Sequence, residues 1–178
     1  MPGHDIVVIG ASAGGVEALI NLVRELPGDL PAAVFIVLHF PSRGVSALPE
    51  ILSRKGPIPA AHATDCEPIL PGRIYIAPPD NHLTLKHGHV RVVAGPRENG
   101  HRPAIDPLFR SAARSYSTRV VGVVLSGVLD DGTAGLMAIK ARGGKAIAQD
   151  PNEALYSGMP LSAIGHVHLD HVLPVSGI

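Results

Sequence analysis

Tryptophan is absent from this chain of 178 residues, and phenylalanine and tyrosine supply only three each. A core so poor in aromatics has to be built from Val, Ile, Leu and Ala, which suits a parallel sheet covered by helices. Cys66 is the single cysteine, which excludes an internal disulfide framework and fits a reducing compartment. Neither sign of charge dominates, because Lys plus Arg and Asp plus Glu each number 15 and no block of like charge occurs. That balance argues against nucleic acid or an anionic membrane surface as a partner. No apolar run reaches the roughly 18 residues of a spanning helix, so no membrane insertion is expected. Met1-Pro2-Gly3-His4 leads directly into a strand pattern, leaving no room for a signal peptide. These absences predict a cytoplasmic protein with one domain over residues 1–178.

What is present is an alternation of strands and helices. Ile6-Val7-Val8-Ile9 reads as a buried strand, and Gly10-Ala11-Ser12-Ala13-Gly14-Gly15 as a tight turn. Val16, Leu19, Ile20 and Val23 then recur at helical spacing, and the helix runs to about Leu26, stopped by Pro27-Gly28. Ala33 to Leu38 is a second strand ending on His39-Phe40-Pro41, followed by a helix from Ser42 or Ser46 to about Arg54. Residues 59–72 read as short strands and loops, and Arg73 to Ala77 as a strand. His82 to Lys86 and His89 to Val93 alternate apolar and polar residues around His87-Gly88, which predicts a β-hairpin. Gly95 to Pro103 is a polar loop long enough to be functional. Asp106 as N-cap and Pro107 at the first helical position start a helix to about Tyr116. A strand over 120–125, a turn over 126–132, and a helix to Arg142 capped by Gly143-Gly144 follow. A strand over 145–149, a short helix over 159–164 and a strand over 171–174 close the chain. The expected fold is a doubly wound, mostly parallel α/β sheet with helices on both faces and one added antiparallel hairpin.

Parallel strands would bring Ser12, His39 and an aspartate of the Asp130–Asp131 pair to one sheet edge. A serine hydroxyl becomes a nucleophile when a neighbouring imidazole takes its proton and a carboxylate orients that imidazole. Free N–H groups at the Ser12 turn are candidates for an oxyanion hole. Gly10-Ala11-Ser12-Ala13-Gly14 also satisfies the G-x-S-x-G elbow pattern. The order Ser, His, Asp nevertheless differs from that of the α/β-hydrolases, which run Ser, Asp, His. A dinucleotide site at the same turn would want an acidic residue at the end of strand two, where His39 stands, so no cofactor is expected. His166, His168 and His171 approach metal-ligand spacing. With no cysteine near them and a strand expected there, no metal is assigned.

Ile9-Gly10-Ala11-Ser12-Ala13-Gly14-Gly15 and His39-Phe40-Pro41 resemble motifs of the chemotaxis protein-glutamate methylesterases, the CheB family. So do Tyr75-Ile76-Ala77-Pro78, His101-Arg102-Pro103-Ala104-Ile105-Asp106, Leu125-Ser126-Gly127 with Asp131-Gly132, and Ala148-Gln149-Asp150. The resemblance implies a serine hydrolase on a Rossmann-like sheet that cleaves methyl esters of glutamate side chains on methyl-accepting chemotaxis receptors. In many members it also implies deamidation of receptor glutamines. It assigns Ser12 as nucleophile, His39 as base and Asp131 as orienting acid, with the backbone N–H groups of Ala13 and Val128 at the oxyanion. Arg102 and Met159 become candidates to line the substrate cleft. Three features depart from the family pattern. Ala13 replaces a threonine, Gly127-Val128-Leu129 replaces Gly-Met-Gly, and no acidic receiver domain stands before Met1 in this sequence, as expected either of a stand-alone esterase or of a piece of a longer chain. The changes at Ala13, Val128 and Leu129 motivate an alternative expectation, a binding or scaffold module that kept the fold with weak or no turnover.

Overall fold

The computed structural model describes residues 3–39 and 46–178. Its centre is β1, Ile6–Ala11, flanked by β2, Ala33–Leu38, and by β7, Val120–Val124. Outward from β2 lie β4, Arg73–Ile76, and β3, Ala60–His62; outward from β7 lie β8, Lys145–Gln149, and β9, His171–Leu173. Every pairing in this seven-stranded sheet, in the order β3-β4-β2-β1-β7-β8-β9, is parallel. Without the edge strand β3, the order is that of a doubly wound nucleotide-binding sheet, built outward from β1 in both directions. The reversal of direction falls between β1 and β7, and ligands of open α/β sheets bind at the carboxyl ends of such a pair.

Alternate residues of the central strands supply two cores, because successive side chains of a strand point to opposite faces. Val8, Phe35 and Tyr75 face α3, Ile105–Tyr116, α4, Thr133–Ala141, and α5, Gly158–His166. Ile9, Ile36 and Ile76 face α1, Gly15–Glu25, and α2, Leu48–Lys55. All six residues of β2 are buried, as expected of a strand covered on both sides. Phe35 and Tyr75 are register partners and their rings stack with centroids 5.1 Å apart.

The expected hairpin forms a separate antiparallel sheet of β5, His82–Lys86, and β6, His89–Val93, turning at Gly88. It sits on α3, where Ser111 Oγ accepts the Leu85 N–H at 2.9 Å. Among the described residues, no helix is long and apolar enough to cross a membrane.

Two helix starts differ from expectation. Helix α2 begins at Leu48 with Ala47 at its N-cap, and the Leu48 N–H reaches Ser46 Oγ at 3.4 Å. Ser42, like Phe40 and Pro41, lies outside the described residues. Asp106 is not the N-cap of α3; the helix begins at Ile105 after Ala104. The physical reason is a competing cap from elsewhere in the chain. Asp131 Oδ2 accepts the Ile105 N–H at 2.7 Å and Asp131 Oδ1 the Asp106 N–H at 3.0 Å. With its own helix served, Asp106 Oδ1 accepts the Gly132 and Gly135 N–H groups at 3.1 and 2.7 Å, at the start of α4. Asp131 thus caps the helix in which Asp106 stands, and Asp106 the helix that follows Asp131.

Candidate active site

The three strand ends meet at the reversal point. Ser12 follows β1, and its N–H donates to the Ser126 carbonyl at 2.9 Å, tying the turn to the end of β7. Ser12 does not cap α1: the N-cap is Gly14, in the left-handed region at φ 73°. Gly10 is required by close packing, since a Cβ there would overlap the Ile105 side chain at the start of α3. Ser126 Oγ, buried, donates to the Ala13 carbonyl at 2.7 Å and holds the turn without help from a hydroxyl at position 13.

His39, at the end of β2, lies between the other two groups. Its Nε2–H donates to Asp131 Oδ2 at 2.7 Å, and its Nδ1 lies 3.1 Å from Ser12 Oγ. An ionised carboxylate accepts only, so the proton on Nε2 leaves the Nδ1 lone pair to accept from the Ser12 hydroxyl. The side chains of His39 and Asp131 are only 5% and 2% exposed, which keeps competing water away from the contact. Burial, the largest influence on Asp131, pushes its pKa up. The hydrogen bonds from His39, the Ile105 N–H and Asn99 outweigh it and hold the carboxyl below its usual range. Asp130, the other aspartate of the pair, is exposed; its carbonyl accepts the Thr133 N–H at 3.1 Å.

The remaining expected positions fall as follows. Neither the Ala13 nor the Val128 N–H has a backbone or side-chain acceptor among the described residues. Met159 is fully buried against Gly127, where an added Cβ would also come within 2.9 Å of Ser12 Cβ. Arg102 is occupied: Nε and Nη2 donate to Asp80 Oδ1 at 3.0 and 2.8 Å, and Nη1 to the Gly95 carbonyl at 2.8 Å. Among the described residues, no group of three or more His, Cys, Asp or Glu converges as metal ligands.

Leu129, where the family pattern has a glycine, takes a left-handed backbone at φ 64° and is 70% exposed. A branched side chain in that region costs on the order of 1–3 kcal/mol. Leu129→Gly is therefore expected to stabilise the protein by about 1 kcal/mol after the entropy of the added glycine is subtracted. Denaturant unfolding reads this, and a loss of stability would contradict it.

Three residues of the site were given no role in it by the sequence reasoning. Asn99 Nδ2 lies 2.8 Å from both Asp106 Oδ2 and Asp131 Oδ1. His101 lies flat on His39, with ring centroids 3.6 Å apart and planes 8° from parallel. Asp106 is buried, and burial first and the Asp131 charge second push its pKa up. The Asn99-Gly100 pair was the available signal, since that dipeptide marks a tight hairpin turn.

A hydroxyl, an imidazole and a carboxylate in series, at the carboxyl edge of a parallel sheet, constitute the apparatus of a serine hydrolase. The chain belongs to the CheB methylesterase family, whose model matches residues 7–178. It is 42% identical to protein-glutamate methylesterase/protein-glutamine glutaminase 5 of Anaeromyxobacter dehalogenans, over 97% of this chain and 49% of that protein. It is 37% identical to protein-glutamate methylesterase/protein-glutamine glutaminase 2 of Rhizobium johnstonii, over 97% of this chain and 48% of that protein. The chain thus spans about half the length of these curated relatives. The crystal structure of the Thermotoga maritima CheB methylesterase catalytic domain superposes with a TM-score of 0.94 at 35% identity, covering 99% of this chain and 95% of that one.

Proposed function

We propose that residues 1–178 act as one catalytic domain that hydrolyses methyl esters of glutamate side chains, through Ser12, His39 and Asp131. The observation that carries the reading is His39 bonded to Ser12 Oγ through one ring nitrogen and to Asp131 through the other. As Ser12 Oγ attacks the ester carbonyl carbon, its proton passes to His39 Nδ1. Asp131, held ionised, stabilises the imidazolium that forms. The carbonyl oxygen becomes an oxyanion, for which the Ala13 and Val128 N–H groups are the donors in this reading. Collapse expels the methoxy group, which takes the proton from His39 and leaves as methanol. Water, deprotonated by His39 in turn, releases the glutamate and restores Ser12.

The substrate in this reading is a methyl-accepting chemotaxis receptor, and the names of the relatives support both ester and glutamine amide cleavage. The setting is the cytoplasm, where an exposed free thiol such as Cys66 stays reduced. The test is release of methanol from a methylated receptor fragment and of ammonia from its glutamine form. Methanol release that depends on Ser12 is expected; a protein that releases neither product would overturn the reading.

A further inference from the structure

We propose that the tight turn Glu98–His101 is the positioning element of this site, with Asn99 fixing the carboxylate and His101 the plane of the imidazole. The proposal rests on the reading of Ser12, His39 and Asp131 given above. Glu98 and His101 exchange both backbone hydrogen bonds, at 3.0 and 2.8 Å, across a two-residue turn. Asn99 and Gly100 at its tip both have positive φ, 51° and 80°, the backbone for which Asn-Gly is favoured. The turn is anchored on α3, where Arg110 Nη2 meets Glu98 Oε2 at 2.5 Å.

This short device reaches two members of the triad at once. The two hydrogens of the Asn99 amide go one to Asp131 Oδ1 and one to Asp106 Oδ2. Asp131 Oδ2 already takes the His39 ring and the Ile105 N–H, and Oδ1 takes the Asp106 N–H. Asn99 therefore supplies the fourth bond to a carboxylate with about four acceptor positions, so that it cannot rotate away from His39. It also stands between two buried carboxylates that would otherwise repel. His101 then covers one face of the His39 ring. A tilt of that ring would break the bonds at both its nitrogens, and the stack opposes the tilt. The charged and titratable groups that influence His101 are His39, Asp131 and Arg97. Burial, the largest influence, favours its neutral form, so that no positive charge on His101 opposes the imidazolium that forms when His39 takes the proton from Ser12.

Three variants separate positioning from stability. Asn99→Gly keeps the positive-φ turn and removes only the amide. His101→Ala removes the stacked ring, and His101→Phe restores a flat one. Asn99→Gly and His101→Ala are expected to lower kcat on a methyl ester by about 10–100-fold with KM within about twofold, as a misplaced catalytic group does. His101→Phe is expected to recover most of that loss. The independent readout is proton NMR of the His39 Nε2–H, expected to shift or exchange away in Asn99→Gly. Unchanged kcat together with an unchanged resonance would overturn the proposal, and so would a Phe variant no better than Ala. Collapse of the fold in Asn99→Gly would overturn it too, by assigning Asn99 to stability. If the wild-type protein cleaves no ester, the functional reading fails, while the resonance still decides whether the turn positions His39.

Discussion

Replacing Ser12 with alanine is expected to lower methanol release by about 10⁴-fold or more while the melting temperature stays where it was. The size follows from the way a triad works: once the nucleophile is gone, only binding and oxyanion stabilisation remain. The invariance of the fold follows from what Ser12 does otherwise, which is little. Its N–H bond to the Ser126 carbonyl and the bond from Gly15 to its own carbonyl are backbone interactions that alanine keeps. Its hydroxyl neither caps α1 nor fills a core. Methanol measured by gas chromatography, beside a thermal scan, separates the two effects. Undiminished release would remove Ser12 from the chemistry.

Asp131→Asn is expected to cost about 10⁴-fold in kcat, and unlike the serine variant it should also destabilise the protein. The four groups that point at this carboxylate are all donors: the His39 ring, the Ile105 and Asp106 N–H groups and the Asn99 amide. A carboxamide can accept on one side only, so its NH₂ must face donors on the other. Leaving buried donors unsatisfied costs about 1–3 kcal/mol each. The pH dependence carries a sign that can be checked. Because the folded pKa of Asp131 lies below its unfolded value, its contribution is present above about pH 3.9 and is lost as pH falls through the folded value. Asp106 runs the other way, since its raised pKa makes its ionisation a cost to the fold above that pKa. The destabilisation caused by Asp131→Asn should therefore be large at pH 7 and shrink below pH 4. Urea unfolding at the two pH values reads it, and a difference independent of pH would contradict the assignment.

The architecture was legible because each central strand is an unbroken apolar run ended by Gly, Pro or a polar residue. β2 reproduces its predicted bounds, Ala33–Leu38, and the hairpin strands do the same at His82–Lys86 and His89–Val93. The meeting of Ser12, His39 and one aspartate of the Asp130–Asp131 pair was legible for the same reason, since parallel strands leave their carboxyl ends on one edge; the choice of Asp131 over Asp130 came from the resemblance to the CheB family. What sequence reasoning misassigned was the start of α3. Asp106-Pro107 carries local capping chemistry, but the acceptor that caps the helix comes from Asp131, 25 residues further along for the Asp106 N–H. Local propensity cannot register a long-range cap. The same holds for Asn99 and His101: the Asn-Gly turn announces its shape, whereas its targets, Asp131 and His39, lie on other loops. Arg102 illustrates the converse, a charge that looked available and is engaged by Asp80.

The claim on which all of this turns is that the Ser12 oxygen forms a covalent bond to the acyl group of its substrate. Rapid acid quench of the enzyme mixed with a peptide carrying a glutamate methyl ester, followed by peptide mapping in a mass spectrometer, reads it directly. The expected result is a transient acyl adduct on the peptide containing Ser12, with one methanol released for each adduct formed. Complete ester cleavage with no adduct on Ser12 at any quench time would contradict it.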